Sequence, residues 1–173
     1  MINFLYLFLA FIADIGLGIL FPTAFVGFNI SATPNILLIV LILITYKEDV
    51  LKSILLGFFV GLSVDIFNPD TIYTYATIYM LTTLVVSAWS TRINDSFVEL
   101  FLVTLSAVFF KELLVYMSNV IGHNYILNFG NWGALHLLFT ILFSLLPIII
   151  AVFVKLNSID VNVKHKQRSK RWD

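Results

Sequence analysis

The chain contains no cysteine. Disulfides, thiolate metal sites and cysteine nucleophiles are therefore excluded, and nothing can be read about redox compartment. Charge is also scarce. Asp, Glu, Lys and Arg together make up 12% of the 173 residues, about half the usual share in soluble domains. No repeat of fixed period is evident. What is abundant is apolar surface: 60% of the residues are hydrophobic and the mean hydropathy is +1.00. A water-soluble domain of this length cannot hide so much, so an integral membrane protein is expected. Spans and short connections use nearly every residue, which leaves no room for a separate soluble catalytic domain. The first apolar stretch lacks a basic leader, carries Asp14 and runs to Phe21 without a small-residue cleavage site. It reads as a retained helix rather than a cleavable signal.

Six apolar segments approach the length needed to cross about 30 Å of hydrocarbon at 1.5 Å per residue. They cover roughly 3–21, 34–46, 50–67, 71–90, 97–121 and 132–155. The expected class is all-α, a polytopic membrane helix bundle spanning 1–157, followed by a basic tail, 158–173, too short to fold alone. Pro34 suits a first helical turn, with an extended or re-entrant lead-in before it. Pro69 marks a tight turn, and Pro147 is expected to kink the sixth segment.

The basic residues set direction. With both termini in the cytoplasm, Lys47, Lys52, Arg92, Lys155, Lys164, Lys166, Arg168, Lys170 and Arg171 all lie inside, and only Lys111 falls within a span. The reverse orientation puts those nine outside. The tail can gain about 1 kcal/mol per basic residue on an anionic leaflet, or it can contact a cytoplasmic protein.

Ser53, Gly57, Gly61 and Asp65 recur every four residues. On a helix they drift only about 40° per step and form one narrow stripe. Small residues in such a stripe let another helix approach closely, and that packing alone is a sufficient account of the glycines. A carboxylate at mid-membrane costs roughly 2.5–3.5 kcal/mol on insertion scales, so Asp65 is either an outer cap residue or part of a functional group. Asp14, Lys111 and Glu112 fall at similar depth in the outer halves of other segments, and His136 begins the sixth there. These charges should face the bundle interior, with Lys111 the shared counter-ion of three carboxylates. A buried network that fixes helix register and a cleft for a ligand or partner are both open readings. Candidate partner- or ligand-binding residues are therefore Asp14, Gly57, Gly61, Asp65, Lys111 and Glu112. Tyr73, Tyr75, Tyr79 and Trp89 read as interfacial belt aromatics. His123 and His136 lack a third ligand and make a poor metal site. No cofactor, catalytic residue or nucleic-acid contact is indicated.

The stretch "TPNILLIVLILITYKEDVLKSILLGFFVGLSVDIF" resembles the rod shape-determining protein MreD family. The resemblance lies in Pro34-Asn35, the charged turn Lys47-Glu48-Asp49, Gly57, and Gly61-Leu62-Ser63-Val64-Asp65. It covers about 35 residues; elsewhere only hydropathy agrees. Asn35 stands where an acidic residue is frequent, and "DTIYTYATIY" replaces a common Leu-Gly. The resemblance implies a non-enzymatic scaffold subunit of the bacterial cell-elongation (rod shape, peptidoglycan synthesis) machinery in the inner membrane. It implies a single-span MreC-like partner and, indirectly, MreB, RodA and penicillin-binding protein 2. It also implies a fold similar to the substrate-binding subunits of energy-coupling-factor transporters. Such a small-molecule-binding transporter subunit is the alternative function. An intramembrane aspartyl enzyme is a third, disfavoured because the Gly-x-Gly-Asp pattern of one such class is missing and Lys111 points to charge neutralisation.

Overall fold

The computed structural model describes residues 2–20, 32–67, 73–90, 96–122 and 128–169. The lead-in before residue 32, the Pro69 turn, Arg92, His123 and the last four residues lie outside that set. Among the described residues the structure is helical, with no strand. The elements are α1 (Ile2–Leu20), α2 (Ile36–Thr45), α3 (Val50–Phe67), α4 (Thr74–Ser90), α5 (Phe97–Ile121), α6 (Phe129–Trp132), a π-helical turn (Gly133–Leu137) and α7 (Leu138–Ser169). The last three form one continuous helical run. α3 and the stretch Phe129–Ser158 are each long and apolar enough to cross a membrane.

One expectation about the sixth segment differs from the structure. The tail does not stop being helical at residue 157, because α7 continues to Ser169. Extending a formed helix adds one hydrogen bond per residue without a new nucleation cost. Pro147 lies inside α7, and the π-helical turn precedes it at Gly133–Leu137.

α2 is the central element. Leu37, Leu38, Ile39, Leu41, Ile42 and Leu43 are all buried, and α2 packs against α1, α3, α4, α5 and α7. A helix apolar on every side belongs inside such a bundle. α3 and α4 form the most extensive helix pair. The buried residues of α3 are Ser53, Gly57, Gly61 and Asp65, the four-residue stripe.

The surface carries many large apolar side chains, and several hydroxyl residues are buried beside the apolar core. Phe4 and Phe8 of α1, Leu51, Leu55 and Phe59 of α3, and Leu142, Leu146, Ile150 and Phe153 of α7 are exposed. Thr82, Thr83, Thr104, Thr140 and Ser144 are buried. Their hydroxyls largely satisfy themselves on their own helix: Thr82 donates to the Ile78 carbonyl at 2.7 Å, Thr104 to Leu100 at 2.8 Å and Ser144 to Thr140 at 2.7 Å. Such back-bonding allows a hydroxyl to sit where water is absent.

Candidate functional site

Glu112 is the hub of the polar interior. Its burial face on α5 also carries Thr104, Ala107, Val108 and Lys111. The Glu112 side chain is 1% exposed. Oε1 accepts from Lys111 Nζ at 2.8 Å, Thr33 Oγ1 at 2.8 Å and Asn35 Nδ2 at 3.1 Å. Oε2 lies 3.0 Å from His136 Nε2. Consecutive helical residues do not face each other, so the long lysine stem is what brings the ammonium round to Glu112. A buried carboxylate is tolerated only when paired and hydrogen-bonded, and here four side chains converge on it. Two of them, Thr33 and Asn35, belong to the non-helical lead-in of α2. That lead-in is further tied by the Thr33 N–H, which donates to Thr140 Oγ1 at 3.2 Å.

The π-helical turn presents His136 to this hub. Just before it, Trp132 is buried with its ring centroid 4.5 Å from that of Tyr116 and 6.2 Å from that of His136. π-turns inside helices recur at functional sites.

The aspartates are engaged differently from the expectation. Asp14 accepts from two consecutive backbone N–H groups at the start of α2: Ile36 to Oδ1 at 2.8 Å and Leu37 to Oδ2 at 3.0 Å. Asp65 does the same at the start of α4, with Tyr75 to Oδ1 at 3.0 Å and Ala76 to Oδ2 at 2.8 Å. The first turn of a helix has N–H groups without intrahelical partners and the positive end of the dipole. These helix starts meet the two aspartates, so Lys111 is not a counter-ion shared by three carboxylates; its ion pair is with Glu112.

Gly57 and Gly61 are placed against α4 of the same chain. A Cβ on Gly61 would come within 2.6 Å of the Ala76 Cα, and one on Gly57 within 2.9 Å of the Tyr79 carbonyl oxygen. Of the candidate partner- or ligand-binding residues, Gly57, Gly61 and Asp65 thus lie against α4 of the same chain, as the packing reading of the glycines expects. Tyr75 and Tyr79 also turn inward rather than to an interfacial belt, and Tyr79 is buried, whereas Tyr73 and Trp89 are exposed.

Asp14 and Lys111 do share a space. A cavity of about 360 Å³ lies between α1, the start of α2 with its lead-in, the end of α3, α4 and α5. Its walls include Asp14, Gly18, Thr33, Tyr75, Tyr79 and Lys111. Asp65 is not part of its wall, although Tyr75, which it caps, is. A second, apolar furrow of about 580 Å³ runs between α1, α2 and α7, past Tyr6, Val40, Leu43, Leu146 and Val154. It brings few polar groups together, so the chemistry lies in the smaller space. Among the described residues no three His, Asp or Glu side chains are grouped to hold a metal.

Sequence reasoning brought together Asp14, Lys111 and Glu112 and noted His136. It missed Thr33 and Asn35 as hub ligands, and Tyr75 and Tyr79 as cavity walls. The polar pair flanking Pro34 was the available signal for the first two. Compared with models of known protein families, with curated proteins and with solved structures, the chain matches none of them.

Proposed function

We propose that this chain is a multi-pass membrane helix bundle that acts as a non-catalytic scaffold subunit of the bacterial cell-elongation machinery. Its termini lie in the cytoplasm, and it binds a single-span MreC-like protein. Through that protein it is linked to MreB, RodA and penicillin-binding protein 2. The exposed apolar faces of α1, α3 and α7 support the membrane setting, because apolar surface on this scale is stable against lipid rather than water. The clustering of basic residues supports the orientation.

The observation that carries the reading is what the resembling residues do. Asn35 bonds the hub, Gly57 and Gly61 admit α4, and Asp65 caps it. The stretch that resembles the MreD family thus consists of residues this bundle uses to hold its helices together. The alternative, a small-molecule-binding transporter subunit, draws its support from the cavity beside Asp14 and Lys111.

The test is complementation in rod-shaped bacteria depleted of their own MreD protein, together with co-purification from their membranes. Rods and a co-purifying MreC are expected. Round cells together with absence of MreC from the purified chain would overturn the scaffold reading.

A further inference from the structure

Lys111 is 5% exposed and lines the cavity. Its ammonium has three N–H donors. Among the described residues it has one acceptor, Glu112 Oε1 at 2.8 Å, and it stands 5.9 Å from the centre of the Tyr75 ring. Buried donors without acceptors are costly, so the unused ones call for an acceptor inside the cavity. Asp14 stands on another wall. Each of its oxygens accepts one N–H, while a carboxylate offers about four acceptor positions. It is only half-buried, and so retains room for a donor.

We propose that this cavity binds a small zwitterion of the α-amino-acid type, its carboxylate on Lys111 and its ammonium on Asp14. Charge balance selects this class. Lys111 is already paired with Glu112, and Asp14 with the start of α2. A ligand carrying net charge would bring an uncompensated ion into a low-dielectric space. A zwitterion adds none and meets opposite charges on two different helices, α1 and α5. Phe11, Tyr75 and Tyr79 supply ring surface for an apolar or aromatic side chain. The volume, about 360 Å³, is at the lower end of the usual ligand-site range and suits one small molecule.

The inference rests on the small-molecule reading of the cavity and is independent of the cell-elongation reading. It is tested on the full chain in lipid nanodiscs by fluorine NMR with para-fluorophenylalanine as the probe. Saturable binding is expected. Para-fluorophenethylamine, which keeps only the cation, and para-fluorophenylpropionate, which keeps only the anion, are each expected to bind at least roughly tenfold more weakly. Gly18 lies on the cavity wall, and among the described residues a Cβ there meets nothing within 4 Å. Gly18→Leu therefore fills the cavity and is expected to abolish binding. Gly16 has equal space but is not a wall residue, so Gly16→Leu is expected to bind as the parent does.

Absence of saturable probe binding would overturn the proposal. So would equal binding of either half-charged analogue, or unchanged binding in a Gly18→Leu chain that melts at the parent temperature. The analogue series needs no variant and decides the matter even if Gly18→Leu fails to fold. Failure here leaves co-purification with MreC as the separate test of the scaffold.

Discussion

α1–α2 and α3–α4 use one device twice, and only one of the two copies is closed. In each pair a carboxylate from the first helix accepts two consecutive N–H groups at the start of the second. Beside Asp65, Gly61 and Gly57 lie against α4 with no space for a methyl group. Beside Asp14, Gly16 and Gly18 meet no described residue, and a cavity follows. Capping fixes where a helix begins; small residues decide whether the two helices then touch along their length. The first pair has the cap with a much less extensive contact, and the Glu112 network helps to hold α2 from its other side.

The comparison breaks most severely at that network. Glu112→Gln leaves the Lys111 ammonium buried without its anion, and a loss of about 3–5 kcal/mol is expected. Thermal unfolding of the purified chain measures it. A fall in melting temperature no larger than that of a surface substitution would mean that α2 is held mainly by Asp14.

The glycines give the next largest contrast. Gly61→Leu drives a side chain into the α4 backbone, with an expected cost of about 3 kcal/mol. Gly18→Leu enters open space and replaces a poor helix former, so a change within about 1 kcal/mol, favourable in sign, is expected. Equal destabilisation by the two would erase the difference between a closed and an open pair.

The caps themselves come third. Asp65→Leu strands two N–H groups at a tightly packed helix start, at about 2–3 kcal/mol. Asp14→Leu, at a half-buried position beside the cavity, should cost less, about 1–2 kcal/mol. Ser63 bonds the Val60 carbonyl of its own turn at 2.6 Å, so Ser63→Ala should stay within about 0.5 kcal/mol. In a cell-shape assay, Asp65→Leu is accordingly expected to be worse than Ser63→Ala. Hydrogen exchange at Tyr75 and Ala76 distinguishes a lost cap from general loosening.

Periodicity made much of this legible beforehand. Four-residue spacing identified the whole buried face of α3, and the rarity of charge singled out Asp14, Lys111 and Glu112 as inward-facing. The partners were harder to read. Asp14 and Asp65 bond main-chain N–H groups, which every residue but proline carries and no side chain advertises. Thr33 and Asn35 sit in a short non-helical segment where no helical period applies. Tyr75 and Tyr79 look like membrane-interface residues by type, and only the placement of α4 against α3 and α5 turns them inward. The π-turn has no compositional signature of its own.

That turn has a consequence for the long C-terminal helix. Trp132, His136, Thr140, Ser144, Ile148 and Val152 are buried at unbroken intervals of four, a spacing that creeps round an α-helix by about 40° each time. The wider coil between Gly133 and Leu137 takes up part of that creep where Tyr116 and Glu112 must both be reached. Removing one residue from this coil would restore ordinary winding and swing Trp132 through roughly 100°. The indole would then leave Tyr116, and the ring contacts beside His136 would be lost without any change to the residues that form them.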